Sequence, residues 1–176
     1  MRRIAGRGLF RGRTRRLALI SLVLCVAAWR VWEQTRQAPP FSFDSARPYA
    51  VERVVDGDTL LLADDTRVRL IGVDTPEMGR PNLPPEPLAA EASEFTRRQV
   101  EGREVRLEFD RERRDEYRRV LAYVWVGGRC LNEELIRAGY SRAETRFPYR
   151  AVMKGRFRAA EDEARRAGVG LWGLAP

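Results

Sequence analysis

A mainly β domain with about three helices, preceded by one N-terminal membrane helix, is the fold class that the sequence predicts. Three observations carry it. Short β-rich runs are joined by tight turn signals, helical periodicity appears once between the third and fourth runs and twice after the fifth, and an uncharged stretch sits near the N-terminus. The order β-β-β-α-β-β-α-α is the pattern of the OB-fold, a five-stranded Greek-key barrel.

The elements follow in order. Leu17 to Trp29 is thirteen residues without a charge, preceded by seven arginines. Extended to Trp32, it approaches the roughly 17–25 residues that span a bilayer. Its length also suits the apolar region of a signal peptide, with Val26-Ala27-Ala28 as a small-residue cleavage site. Residues 1–16 are thus expected to be a basic cytoplasmic n-region, and 17–32 a signal anchor or signal peptide. Residues 33–48 read as a linker and 49–174 as the folded domain. The arginines ahead of the run orient the N-terminus to the cytoplasm. The domain is accordingly expected outside the cytoplasm, membrane-anchored or secreted after cleavage near Ala28.

Tyr49–Val55 and Thr59–Leu62 are strand runs separated by the hairpin signal Asp56-Gly57-Asp58. A turn at Ala63-Asp64-Asp65 leads to a third strand, Arg67–Ile71. Four prolines between Pro81 and Pro87 require a loop. Leu88–Val100 has helical spacing through Leu88, Ala92 and Phe95. Val105, Leu107 and Phe109 alternate with polar residues as strand four, and Val120–Val126 is strand five, ended by Gly127-Gly128. Leu131–Ala138 is a short helix closed by Gly139. A longer one from about Tyr149 to Ala167 places Val152, Phe157, Ala160 and Ala164 on one face and ends at Gly168.

Composition excludes several chemistries. The 176 residues include no His and only two Cys. A His general base, a Ser-His-Asp triad, a His-ligated zinc and a disulfide framework are therefore all absent. Cys25 lies in the apolar run, and Cys130 reads as a small buried hydrophobe. The formal charge of +8 suggests a surface for phosphate backbones, yet residues 1–40 carry nine Arg against Glu33 alone. Residues 41–176 hold 24 basic and 24 acidic side chains. All the excess charge thus sits in the N-terminal tail, where it orients a membrane segment.

Four short elements stand out: Asp56-Gly57-Asp58-Thr59, Arg69 to Glu77 (RLIGVDTPE), Asp115 to Tyr123 (DEYRRVLAY), and Gly170-Leu171-Trp172-Gly173. Singly, each is an ordinary turn, strand exit or solvated edge. In this order, from about Tyr49 to Gly173, they resemble the staphylococcal (micrococcal) nuclease family, the thermonucleases. The resemblance implies an OB-type barrel that cleaves phosphodiester bonds of DNA and/or RNA using Ca²⁺. It implies Asp58 and Asp74 as carboxylate calcium ligands with the backbone carbonyl of Thr75 beside them, and Arg69 and Arg119 as the guanidinium groups on the scissile phosphate. Glu77 is implied as the carboxylate that activates water, and Tyr117 as a phosphate contact. No obligate protein partner is evident.

That chemistry is physically consistent. A phosphodiester repels hydroxide, hard oxygen ligands suit Ca²⁺, and two forks of N–H donors neutralise charge as it develops. Such a site needs no His. The chain departs from the family at Arg118, which stands where the family has Gly: if that glycine serves a positive φ, Arg118 carries a strain of about 1 kcal/mol or more; alternatively, its guanidinium adds a phosphate contact. A base-stacking tyrosine of the family aligns with Thr145, with Phe147 and Tyr149 nearby as substitutes. A noncatalytic OB module that binds nucleic acid or protein is the competing reading; the retained metal and phosphate residues favour the enzyme.

Overall fold

A computed structural model of the chain describes residues 22–30, 43–79 and 81–174. It divides into two units, residues 1–42 and 43–176. In the first, residues 22–30 are helical and leave Leu22, Val23, Leu24, Val26 and Trp29 exposed. No helix among the described residues is long and apolar enough to cross a membrane. The remainder of the expected 17–32 segment, the n-region and residues 33–42 lie outside the described residues.

In the second unit, six strands form one sheet: β1 (Pro48–Asp56), β2 (Thr59–Leu62), β3 (Arg67–Leu70), β4 (Glu104–Glu108), β5 (Val120–Val126) and β6 (Arg129–Cys130). Their order is β3-β2-β1-β4-β5-β6, and a further β3–β5 pairing closes the first five into a barrel. β1 serves both halves, pairing with β4 through Pro48–Ala50 and with β2 through Val51–Asp56. The closing pair is parallel, with Val68 opposite Val120 and Leu70 opposite Ala122, whereas the other four barrel pairings are antiparallel. β6 is an unexpected two-residue return paired to Trp125 and Val126.

Three helices pack on the barrel: α1 (Ala89–Val100), α2 (Leu131–Arg137) and α3 (Ala151–Ala167), followed by a 3₁₀ turn at Gly170–Trp172. Leu60, Leu62, Val68, Leu70, Leu107 and Val120 fill the barrel interior. On α3 the buried stripe is Met153, Phe157, Ala160 and Ala164, and Val152 is 75% exposed. Intervals of four, three and four residues keep one helical face, whereas Val152 lies five residues before Phe157 and falls off it. The stripe of α1 is likewise displaced: Ala89, Ala92, Ser93, Thr96 and Val100 are buried. Phe95 instead meets Tyr140 at 5.3 Å between ring centroids.

The Phe43 ring lies 5.3 Å from that of Tyr49 and 6.3 Å from that of Phe109. Asn132, wholly buried in α2, ties helix to barrel. Its side chain accepts from Val124 N–H at 2.9 Å and donates to the carbonyl of Ile71 at 2.9 Å. An amide buried with its partners satisfied fixes the strand exit after β3, and the candidate site begins at that exit. Cys130 is buried, as expected, and burial pushes its thiol up to about 11.

Candidate active site

The site forms where β3 and β5 run parallel. Arg69 lies opposite Leu121, and Arg119 is two residues before Leu121, so the pleat sends both guanidinium groups to one side. Arg69 is half-buried and reaches four acceptors, one of them the carbonyl of Leu70 at 3.4 Å. Its Nη1 stands 2.8 Å from Asp58 Oδ2 and donates to the carbonyl of Val73 at 2.7 Å, and its Nη2 meets Asp74 Oδ1 at 2.9 Å.

Asp58 is only 6% exposed. It ends the Asp56-Gly57-Asp58 turn, and the turn needs its glycine, because a Cβ on Gly57 would stand 2.6 Å from Thr75 Oγ1. The same closeness lets the Thr75 N–H and hydroxyl donate to Asp58 Oδ2 at 2.9 and 3.1 Å. Thr59 donates to Oδ1 at 3.1 Å. Burial pushes the Asp58 carboxyl up to about 7, against the opposing pull of Arg69. Asp74 is more exposed, and its N–H donates to the hydroxyl of buried Ser141 at 2.8 Å.

Arg119 is oriented by Asp115, which sequence reasoning passed over as part of a motif. Asp115 Oδ1 accepts from Arg119 N–H at 2.9 Å and Oδ2 from Arg119 Nε at 2.7 Å. Only a tight turn brings residues four apart into that double contact, and it places Arg118 at φ 64°. The positive φ foreseen from the family glycine is present. Arg119 also lies 5.4 Å from the ring centroid of Tyr117, which is 72% exposed.

Arg69, Asp74, Tyr117 and Arg119 line one cleft of about 310 Å³. Phe147 and Tyr149 form an aromatic wall to it, whereas Thr145 does not line it. The Tyr149 hydroxyl is buried with no hydrogen-bond partner among the described residues, and burial pushes it up to about 12. Arg118 is exposed and stands outside the cleft lining. Glu77 is also exposed and outside that lining. Its segment is held by the backbone, with Glu77 N–H donating to Glu86 Oε2 at 3.0 Å and its carbonyl accepting from Glu86 N–H at 3.0 Å.

The donor set fits a hard cation. Asp58 and Asp74 flank a single positive group, the Arg69 guanidinium, and offer only oxygen, as does the adjoining Thr75. Among the described residues no three acidic, Cys or His side chains stand close enough together to hold a metal ion by themselves. An ion here would therefore complete its shell with backbone oxygen, water or substrate.

Comparison with known proteins places the chain in a family. The family model described as staphylococcal nuclease homologue matches residues 67–173. That span contains Arg69, Asp74, Thr75, Glu77, Tyr117, Arg118 and Arg119, and Asp58 precedes it. The chain is 43% identical over 130 residues to a thermonuclease of Staphylococcus intermedius, spanning 70% of this chain and 75% of that protein. It is 36% identical over 161 residues to a thermonuclease of Staphylococcus hyicus, spanning 88% and 95%. Endonuclease YncB of Bacillus subtilis is 34% identical over 126 residues, spanning 69% and 60%.

Proposed function

The chain belongs to the staphylococcal nuclease homologue family, and on that premise we propose that it is a Ca²⁺-dependent nuclease hydrolysing phosphodiester bonds of DNA and/or RNA. The observation that carries the reading is the convergence of Arg69 and Arg119 on one cleft, each held by carboxylates, Asp58 and Asp74 for the first and Asp115 for the second.

Each side chain has a role that follows from its chemistry. Arg69 and Arg119 donate forked N–H groups to the non-bridging oxygens of the scissile phosphate, where negative charge grows in the transition state. Their carboxylate partners fix the forks beforehand, so little reorganisation is needed as the charge develops. Glu77 takes the proton of the attacking water, and its exposure leaves the carboxylate open to solvent and substrate. Tyr117 presents its hydroxyl to a neighbouring phosphate, and Arg118 adds a contact further along the backbone. Asp58, Asp74 and the carbonyl of Thr75 would hold Ca²⁺, which supplies Lewis-acid stabilisation of phosphate charge.

The N-terminal segment supports a place at a membrane, with the catalytic domain on the periplasmic or extracellular side, or secretion after cleavage near Ala28. Seven arginines before thirteen uncharged residues carry that part of the reading.

The test is digestion of supercoiled plasmid and of single-stranded RNA by the purified chain, with Ca²⁺ or with EDTA. Nicking and degradation with Ca²⁺, and none with EDTA, is the expected result. Absence of cutting with every divalent metal would overturn the reading in favour of a binding module. Fractionation of producing cells, with the mass of the mature N-terminus, tests the location.

A further inference from the structure

The Val73–Asp74 peptide is held at both ends. Its carbonyl accepts from Arg69 Nη1 at 2.7 Å, and its N–H donates to Ser141 Oγ at 2.8 Å. Ser141 is wholly buried in the turn after α2 and gives its own proton to the carbonyl of Arg142 at 2.7 Å. A hydroxyl has one donor and two lone pairs, so with its proton committed it faces Asp74 as an acceptor. The same turn makes a second tie to the strand exit, where Glu144 N–H donates to the carbonyl of Gly72 at 3.1 Å. The turn is fixed in its own right: the Gly139 carbonyl accepts from Leu171 N–H at 2.9 Å, and the Arg142 guanidinium lies 5.3 Å from the Trp172 ring centroid.

The two carboxylates of the candidate cation site differ in what they leave open. Asp58 Oδ2 meets Arg69 and both donors of Thr75, and Asp58 Oδ1 accepts from the Thr59 hydroxyl. Asp74 Oδ1 meets Arg69, whereas no described residue bonds Asp74 Oδ2. The Asp74 side chain is 55% exposed, so packing does little to aim that open oxygen, and the backbone behind it decides. We propose that Ser141 is a positioning residue for the cation site: by clamping the Val73–Asp74 peptide it aims the open oxygen of Asp74 and keeps the Val73 carbonyl on Arg69. Because a peptide unit is planar, one bond at its N–H sets both. The inference rests on the calcium ligands of the nuclease reading and adds to them a residue outside the motifs that suggested them. Partners standing behind a metal ligand change metal affinity about 10-fold to 100-fold when removed.

The test is Ca²⁺ binding by the full chain, read by calorimetry without nucleic acid. Ser141→Ala removes the acceptor with little change of volume and should weaken Ca²⁺ about tenfold. Ile136→Val loosens the packing of α2, the helix that leads into the turn, without touching the clamp, and should bind Ca²⁺ as the parent does. In plasmid cleavage the rate deficit of Ser141→Ala should shrink as Ca²⁺ is raised. If Ser141→Ala does not fold, Ser141→Cys carries the same test, with a weaker acceptor and a loss of about threefold expected. Parental Ca²⁺ affinity in the Ser141 variant would overturn this inference, and plasmid cleavage by the parent would leave the nuclease reading standing. Equal weakening in Ile136→Val would overturn it too, since loose packing would then suffice. A parent that binds no Ca²⁺ would also overturn it, and plasmid cutting by that parent decides the nuclease reading separately.

Discussion

Arg69 Nη1 lies 2.8 Å from Asp58 Oδ2, and this pair joins the first turn of the barrel to the strand that closes it. Asp58 is buried and takes two further bonds from Thr75 on the same oxygen. The arginine thus enters the cleft already braced, with its second arm on Asp74 at 2.9 Å.

Substitution Arg69→Lys follows directly. A lysine keeps the charge but cannot span Asp58, Asp74 and the Val73 carbonyl, nor present a planar fork to phosphate. A fall in kcat of about 10²–10³ is expected, with a circular dichroism spectrum like that of the parent. Activity within threefold of the parent would show that a point charge suffices.

Glu77 provides the contrast. Its carboxylate is bonded by no described residue, and only its backbone is tied, to Glu86. Glu77→Gln should therefore leave the unfolding midpoint in urea unchanged while lowering kcat by about 10²–10⁴, the range for losing a positioned general base. Equal loss of stability and activity would instead mark a structural role.

Arg118 tests strain against binding. A non-glycine residue at φ 64° costs about 1–2 kcal/mol, and glycine returns part of that through the freedom it adds to the unfolded chain, about 0.4–1 kcal/mol. Arg118→Gly should gain up to about 1.5 kcal/mol in urea unfolding and raise KM for DNA without a comparable loss of kcat. Lower stability would mean that the Asp115–Arg119 turn depends on the arginine side chain.

These residues also show what was legible in the chain. Strand β5 was readable end to end as Val120–Val126 because an apolar run between polar flanks has one plausible phase, and the hairpin at Asp56-Gly57-Asp58 announced itself by residue type. The stripe of α3 was misread by one place because Val152 is as apolar as Met153, and only packing decides which of two neighbours faces inward. The parallel β3–β5 closure has no local signature, since it joins segments about fifty residues apart. Arg69, Asp74, Tyr117 and Arg119 were legible as a group through motif order, and the structure brings them to one cleft. Which residues of the irregular segment between Asp110 and Arg119 line that cleft was not, because such a segment has no period from which to read a side. The aromatic wall of Phe147 and Tyr149 was half visible, as candidates beside Thr145 but without a direction.

Asp110 links that irregular segment to helix α3, and its carboxylate gives a prediction in pH. Its Oδ2 accepts from the Tyr123 hydroxyl at 2.7 Å, from Arg150 N–H at 2.9 Å and from Arg150 Nε at 3.3 Å, while Oδ1 accepts from Arg111 N–H at 2.8 Å. Burial alone would raise this carboxyl, but the bonds from Arg150, Tyr123 and Arg111 outweigh it and hold it below the ordinary carboxylate range. The folded chain therefore releases this proton more readily than the unfolded chain. Stability from Asp110 is present above the unfolded value near pH 4 and is lost as pH falls through the lower folded value. Asp110→Asn should cost about 2 kcal/mol at pH 7, the scale of a buried hydrogen bond to a charged group. The difference between variant and parent should narrow as the pH is lowered from about 5 to about 2. Urea unfolding across that interval reads both. A difference that stayed constant with pH would assign the effect to shape at the start of α3 instead of to the charge.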